Sequence, residues 1–446
     1  MKKGITSSLL AFGLIASANL GAADDLSSMF SEGKVSGEIR SFYINRDDTS
    51  KPDNQIATAI GGKLLYETGS YKGISLGAGF YTTNRILRNL ESTDKTMLNN
   101  TLFRNDGESY SILGEAYVKY NAKAMGTNTI VKVGRQRLDT PLAGSDDARM
   151  LPNLFEAAVV INNDVQDTTL ILAHVTKMAP GTFANAYNGG IVGATAGYTA
   201  VAGNTAEYQG SYVGMGTWAV GHKTDGVTAA SAIYAHNDLK VQLWDYYAHN
   251  ILNAIYGQID YSMKMDSLTP YVSAQVIKED AVGNKLVKGI GGDGEVDSLY
   301  WGAKAGVKVA GLNTYVAYSK TSANNATDAA YKNAIISPWG GMPAFTQGMV
   351  TRHQFLAGTK ATKFAATYDF NKLGVNLSAT GYYALFKMDA NSGYGTARTT
   401  IEPGFDLQYH PEAIKNLLVR LRGNFPNQFG NNRDWDEYRF ILSYNF

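Results

Sequence analysis

The chain has 446 residues, with 28 Tyr, 47 Gly, 10 Pro and no Cys, and its formal net charge is +1. The absence of Cys excludes disulfide scaffolds and thiolate metal sites, and the near-neutral charge without any block of Lys or Arg argues against a nucleic-acid-binding surface. The mean hydropathy is -0.19, and no apolar run beyond the N-terminus reaches the roughly 20 residues that a membrane-spanning helix needs.

The first 23 residues predict a cleaved secretory signal peptide. A basic start at Met1–Lys3 precedes an apolar stretch over 5–20, and Gly21–Ala23 then supplies the small residues that a signal peptidase requires. An uncleaved membrane anchor would need a longer apolar core. We therefore expect export from the cytoplasm, with residues 24–446 as the mature domain.

Beyond this signal, segments with period-two alternation follow one another through the chain. Leu299 and Trp301 stand at odd positions and Lys304 at an even one, so a strand would place the lysine on the face opposite the two apolar residues. In the same way, Ile112 is assigned to an apolar face and Glu115 to a polar one. Comparable segments lie at 35–43, 56–67, 364–370 and 417–425. Lipid outside and water inside require this pattern, whereas a soluble sandwich would not need so many strands of about ten residues.

The last segment, Asp436–Phe446, is the clearest of these strands. Its even-numbered residues from 438 onward are apolar, and the last of them is the final residue of the chain: Tyr438, Phe440, Leu442, Tyr444 and Phe446. The other parity is polar apart from Ile441. A terminal aromatic residue is typical of outer-membrane barrels, where the last strand closes the wall and the barrel-assembly machinery recognises its end. The inner strand of a soluble sandwich is the alternative.

Loop lengths constrain the number of strands. Short turns such as 70–72 and 371–373 alternate with long connections at 85–107, 138–153, 178–226, 280–297, 321–353 and 426–435. Counting 209–222 as a wall strand gives an odd number, so we assign it to the fourth outer loop, as a hairpin above the rim. The sequence thus predicts an all-β fold, a transmembrane antiparallel β-barrel of about 18 strands.

A barrel of that width leaves a hole that its wall side chains cannot fill, and we expect a loop to narrow it. The connection over 138–153, which is the third outer loop, carries charges of both signs between Pro141 and Pro152 or just before them: Arg135, Arg137, Asp146, Asp147 and Arg149. Opposed charges across a narrow throat orient charged or dipolar solutes. A solvated outer loop is the alternative.

The segment Ser145–Ala157 resembles the inward-folded third loop of the OprD-type outer-membrane porin family. Two further segments, Leu243–Tyr256 and Pro338–Thr346, also resemble this family. The resemblance implies a monomeric or trimeric channel without a cofactor. Such channels pass small hydrophilic solutes, often carboxylates, along Arg and Lys of the inner wall. By position, the residues that match the family's constriction loop are Asp146, Asp147 and Arg149.

The strand phases place charged residues on the inner wall. The predicted basic residues are Arg40, Lys63, Lys132, Lys304, Lys308, Lys363, Arg420, Arg422 and Arg439. The predicted acidic residues are Glu38, Glu115, Asp260, Glu402, Asp406 and Glu437. Arg420, Arg422 and Arg439 form the clearest basic cluster, because neighbouring strands lie ~4.8 Å apart. Such a track could pass a carboxylate from one cation to the next. Alternatively, the carboxylates neutralise these cations in structural pairs.

The sequence favours a passive diffusion porin over an enzyme. None of the six His lies in a His-x-x-x-His or His-Glu-x-x-His pattern, so no metal site is predicted. An outer-membrane surface receptor or adhesin, and an outer-membrane hydrolase, are the alternative classes. We expect a location in the Gram-negative outer membrane, with no nucleic-acid partner. The expected partners are outer-membrane lipid including lipopolysaccharide, small hydrophilic solutes, and the barrel-assembly machinery through Phe446.

Overall fold

The strands of the computed structural model follow one another around a single closed antiparallel sheet. The structure describes residues 23–86, 97–186, 190–196, 208–290, 294–341, 343–429 and 434–446. The predicted signal peptide, residues 1–23, therefore lies outside the described residues except for Ala23.

The strands alternate with turns and loops along the whole described chain. They are β1 Lys34–Asp48, β2 Gln55–Glu67, β3 Ile74–Arg85, β4 Tyr110–Asn121, β5 Thr129–Gln136, β6 Leu154–Asn162, β7 Thr168–Ala179, β8 Val213–Gly214, β9 Val227–His236, β10 Leu239–Ala248, β11 Leu252–Ser262, β12 Leu268–Ala281, β13 Asp297–Val309, β14 Leu312–Thr321, β15 Lys360–Asp369, β16 Leu377–Met388, β17 Arg398–Tyr409, β18 Leu417–Asn424 and β19 Trp435–Asn445.

The wall of the barrel has 18 strands, because β8 is only two residues long and pairs with the end of β7. Each wall strand pairs antiparallel with its neighbours, and β7 pairs directly with β9. The wall closes where β1 pairs with β19, from Glu38 opposite Asn445 to Asp48 opposite Trp435. The predicted fold class and strand number are confirmed.

Side-chain exposure alternates along the strands as the sequence predicts. On β13, Leu299 and Trp301 are each 43% exposed, whereas Tyr300 between them is buried. On β19, Tyr438 and Phe440 are exposed on the outer surface. The hydrophobic face of these strands therefore points outward, as a lipid-facing wall requires.

The prediction for Ile112 is wrong. Between β3 and β4 the register shifts, since Gly79 lies opposite Glu115 while the next residue, Phe80, lies opposite Leu113. This β-bulge adds one residue to β4 and reverses the parity on one side of it. Leu113 is consequently exposed, and Ile112 is turned into the interior.

The hairpin predicted for 209–222 is also wrong, although its assignment to a loop is correct. After the short strand β8, the chain forms a helix, α3 (Met215–Val220), that ends at Gly221 in the left-handed conformation with φ 71. The indole of Trp218 is fully buried, and its Nε1 donates to the carbonyl oxygen of Pro338 at 2.8 Å. The buried Trp218 and its hydrogen bond thus attach this helix to the distant segment around Pro338.

The connections form two sets at opposite ends of the barrel. The long-loop end includes loop 2 (86–109), loop 3 (137–153), loop 4 (180–226) and loop 7 (322–359), and the short-turn end includes turns such as 370–376. The other helices are α1 Leu26–Ser31, α2 Gly190–Ala196 and α4 Lys285–Ile290. None of the described helices is long and apolar enough to cross a membrane.

Candidate functional site in the barrel interior

Loop 3 is tied to the inner wall through Asp147. The Arg40 guanidinium, on β1, donates to Asp147 Oδ1 at 2.6 Å, and Arg137 donates to Asp147 Oδ2 at 3.1 Å. Arg40 also pairs with Glu38 of its own strand at 2.9 Å. Burial alone would raise the pKa of Asp147, but the two guanidinium groups outweigh burial and lower it to about 2. Asp147 is therefore ionised at physiological pH.

Arg149 ties the same loop to the last strand. Its guanidinium is fully buried and donates to Glu437 Oε1 of β19 at 2.8 Å and to Thr101 Oγ1 of loop 2 at 3.2 Å. Glu437 also accepts from Arg46 Nε of β1 at 3.0 Å. Loop 3 begins after β5 and reaches the inner side chains of β1 and β19.

Loop 7 also lies along the inner wall, which the sequence analysis did not predict. Pro343 accepts a hydrogen bond at 2.9 Å from Gln275 of β12. Farther along, Thr346 bonds to Ser319 of β14 at 2.7 Å. The loop continues across the wall, since Lys363 of β15 donates to the carbonyl oxygen of residue 347 at 2.8 Å.

Loops 3 and 7 are joined at a close backbone contact. The amide of Gly144 donates to the carbonyl oxygen of Trp339 at 3.1 Å. Gly341 has φ +88, and a Cβ at this position would lie 2.2 Å from the carbonyl oxygen of Pro141. Only glycine satisfies both the backbone conformation and the close approach. Loops 3 and 7 are thus held together by a backbone hydrogen bond at a place where a side chain would not fit.

Asp146 faces this contact from loop 3. Its carboxylate lies 3.5 Å from Arg352 of loop 7. Burial raises the pKa of Asp146 to about 6, although Arg352 acts in the opposite direction. Adjacent carboxylates of loop 3 therefore differ, because Asp147 has two cationic partners and Asp146 has one.

The arginines of the predicted basic cluster share two carboxylates. Arg420 Nε donates to Asp406 Oδ1 at 2.8 Å, and Arg422 Nε lies 3.4 Å from Asp406 Oδ2. Arg439 is 1% exposed, with its Nε 3.3 Å from Glu437 Oε1. A solute cannot reach a guanidinium that is buried in this way, so the assignment of Arg439 as an accessible wall residue is corrected.

Two predicted acidic wall residues are corrected for the same reason. Glu402 and Glu437 are fully buried. Instead of facing water, Glu402 accepts from the backbone amide of Thr351 in loop 7 at 2.7 Å. Glu437 pairs with Arg439, as the structural alternative expected, whereas Glu402 binds backbone amides of loop 7 instead of an arginine.

The predicted lysines have more varied surroundings. Lys132 Nζ lies 3.8 Å from Glu115 and 3.7 Å from the centre of the Tyr117 ring. Lys63 is half-buried and lies opposite Glu38 in the β1–β2 register.

On β13, Lys304 is half-buried and Lys308 is exposed. Lys304 Nζ lies 4.4 Å from the ring centre of Phe345 in loop 7. Among the described residues, neither lysine has a carboxylate within ion-pair distance.

Two cavities in the interior share one further lysine, Lys240 of β10. The first has a volume of about 330 Å³ and lies beside Asp146, Gly341 and Pro343. The second has a volume of about 410 Å³, lies toward the short-turn end, and is lined by Lys240, Asp260, Tyr271, Ser273, Lys304, Lys308 and Asn313 among others. Asp260 accepts from Ser273 Oγ at 2.6 Å.

Sequence reasoning missed Lys240 because the inward phase of β10 was left open. Buried Trp244 and Tyr246 now show that even-numbered residues of this strand face inward. In loop 7, the signal was Gly340-Gly341 between Pro338 and Pro343, together with the family resemblance of that segment.

A closed antiparallel barrel with an apolar exterior, a charged interior and loops packed against the inner wall has the architecture of an outer-membrane porin. The chain belongs to the OprD family of outer membrane porins, whose family model matches residues 28–446. Porins of this family reside in the Gram-negative outer membrane. The long-loop end accordingly faces the outside and the short-turn end the periplasm.

Several solved Pseudomonas aeruginosa structures have a similar fold. OccK9 (OpdG) has a TM-score of 0.73 at 19% identity, covering 94% of this chain and 99% of that chain. OpdK with vanillate has a TM-score of 0.72 at 17% identity, covering 94% and 99%. OccK2 (OpdF) in complex with glucuronate has a TM-score of 0.70 at 16% identity, covering 94% and 97%. No curated protein sequence matches the chain.

Proposed function

We propose that this porin passes small hydrophilic solutes by passive diffusion and prefers anions, carboxylates above all. The observation that carries the proposal is the second cavity, where Lys240, Lys304 and Lys308 converge without a carboxylate at ion-pair distance in the described chain. The arginines of the opposite wall already have such partners, for example Arg420 with Asp406. Cations that are not neutralised attract a passing anion, and several weak sites allow its release.

The remaining charges around the second cavity do not cancel the three lysines. Asp238 lies at the rim and pairs with Lys264 at 2.8 Å. Asp260 is the other carboxylate of the lining and lies directly opposite Lys240 in the β10–β11 register. The excess of positive charge favours anions over cations.

Loop 7 supports this selectivity by positioning a lysine. The aromatic ring of Phe345 provides the Lys304 ammonium with a cation–π contact, which is worth roughly 0.5–2 kcal/mol, and the ring centres of Tyr271 and Tyr315 lie 5.7 Å from the same ammonium. OpdK and OccK2 were solved with vanillate and glucuronate, both of which carry a carboxylate. They support a carboxylate preference for this chain as well.

The test is ion selectivity in planar bilayers. The triple variant K240Q/K304Q/K308Q should shift the reversal potential in a KCl gradient toward cation selectivity. The matched control K72Q/K123Q/K372Q removes the same charge from exposed positions at the short-turn end, where salt screens it. An unchanged reversal potential in the first variant would contradict the anion preference. A folded barrel without conducting steps would instead favour the surface-receptor alternative.

A further inference from the structure

Three lysines form a row on the outer surface of the wall, on three neighbouring strands. Lys320 of β14 lies directly opposite Lys360 of β15, and Lys360 lies directly opposite Lys387 of β16. All three side chains are exposed. Directly opposed residues of antiparallel strands have their Cβ atoms about 4.5–5.5 Å apart. The ammonium groups therefore form one continuous positive patch, which we call the lysine row.

The lysine row lies at the upper edge of the lipid-facing band. Lys320 is one residue from the end of β14, Lys360 begins β15, and Lys387 is one residue from the end of β16, all at the long-loop end. Trp301 lies opposite Lys320 in the register, and its ring centre is 5.6 Å from that of Tyr318, with the two ring planes tilted by 53°. Exposed aromatic residues of this kind mark the membrane interface. The lysine row thus lies at the level of the outer-leaflet head groups.

The lysine row is not neutralised by the protein. Among the described residues, none of its three members has a carboxylate within ion-pair distance. A fourth outward-facing lysine near the same edge shows the contrast, because Lys278 pairs with Asp280 at 2.6 Å and with Asp297 at 2.5 Å. Like charges placed directly opposite each other destabilise a sheet. An anion from outside the chain would relieve this repulsion.

We propose that the lysine row is a binding site for a phosphate-bearing lipid of the outer leaflet, with lipopolysaccharide as the occupant. Exposed apolar side chains continue the same strands just below it, with Val316 at 44% and Phe364 at 56% exposure. They offer a surface for acyl chains, while the lysines extend flexible stems toward the phosphates. This combination fits a lipid rather than a free anion. A second copy of the chain fits less well, because a two-fold contact would bring two positive rows together.

The experiment measures binding of purified lipid A to the folded, full-length mature protein in a non-ionic detergent. The probe is lipid A with its phosphates, compared with the same lipid after enzymatic dephosphorylation. In K320Q/K360Q/K387Q, affinity for the phosphorylated lipid should fall roughly a hundredfold, since each basic residue near an anionic surface contributes about fivefold. The control K72Q/K123Q/K372Q, at the opposite end of the barrel, should bind like the wild type.

Three outcomes would overturn the proposal. Equal binding by the lysine-row variant and the wild type would exclude the site. Displacement of lipid A by millimolar inorganic phosphate would assign the row to a free anion. A change of oligomeric state in the lysine-row variant without lipid would assign it to an interface between copies. Heat-modifiable migration in gels establishes that each variant is folded, and the substituted side chains are exposed, so folding should be retained.

Discussion

Arginine and lysine occupy different environments in the barrel interior. Arg40 of β1 pairs with Asp147 of loop 3, and Arg149 of loop 3 pairs with Glu437 of β19. Arg40 is largely buried and Arg149 is fully buried. A planar guanidinium remains charged under all physiological conditions and matches a carboxylate with two donors. Lys304 and Lys308 keep a single compact charge on a flexible stem, without such a partner in the part of the chain that the structure describes. The arginines thus hold loop 3 and the neighbouring strands in place, and in the proposed function it is the lysines that attract a solute.

A titration at Asp146 should change ion selectivity between about pH 7.5 and about pH 5. The pKa of this carboxyl is raised to about 6 by burial, and the residue lines the first cavity. Lowering the pH protonates it and removes one negative charge, so the preference for anions should rise as the pH falls. Asp147 stays ionised throughout, because its pKa is about 2. The measurement is the reversal potential in a salt gradient as a function of pH.

The variant D146N provides the control for this titration. At neutral pH it should show the selectivity that the wild type shows at low pH, and the step near pH 6 should be absent. If D146N retains the same step, another group titrates and Asp146 does not contribute to the field in the pore.

The wall strands were predictable from sequence, and the loops were not. Period-two alternation predicts the wall strands one by one, and the count of 18 also required the rule that bacterial barrels have an even number of strands. The alternation fails where geometry adds a residue, as the bulge at Gly114 does for Ile112, and where apolar residues stand at both parities, as they do around Trp244 of β10. Loop 7 has no period, and its contacts join residues far apart in the chain, such as Thr351 and Glu402. A local sequence pattern does not show which distant group such a carboxylate contacts.

The contact between loops 3 and 7 should depend on Gly341. In G341A, the added methyl group would meet the carbonyl oxygen of Pro141 at 2.2 Å, so the loops must separate. We expect a higher and more variable single-channel conductance in planar bilayers. The matched control is G374A in a short turn, where φ is +79 and nothing lies within 4 Å of an added Cβ. Both variants carry a backbone cost of about 1 kcal/mol, but only the first has the clash. Wild-type conductance in G341A would mean that this contact does not limit the pore.

Loop 3 is anchored at the seam where the barrel wall closes. The first and last strands meet there, and Gly37 and Phe446 exchange backbone hydrogen bonds at 2.9 and 3.1 Å at its periplasmic end. Loop 3 docks on the same two strands, with Asp147 on Arg40 of β1 and Arg149 on Glu437 of β19. The anchor for loop 3 is therefore complete only after the last strand has paired with the first. Complete anchoring of loop 3 consequently requires a closed wall.

The stability of the whole barrel should depend on Glu437 at this seam. Its carboxylate is fully buried and is shared by three guanidinium groups, at 2.9 Å for Arg46, 2.8 Å for Arg149 and 3.3 Å for Arg439. Glutamine has the same shape without the charge, so E437Q leaves these guanidinium groups buried without their shared carboxylate. Removing one partner of a buried pair costs about 3–5 kcal/mol. Denaturant unfolding of the barrel reconstituted in lipid vesicles should show a loss of that size in the free energy of unfolding.

The control for this loss is E156Q. Glu156 pairs with Lys177 at 3.0 Å, but its side chain is 30% exposed, so water screens the pair and we expect a loss of less than about 1 kcal/mol. Equal losses in the two variants would show that the buried seam carries no special share of the stability. A larger loss in E437Q that is accompanied by wider conductance fluctuations would show that the same carboxylate both closes the wall and holds loop 3 in the interior.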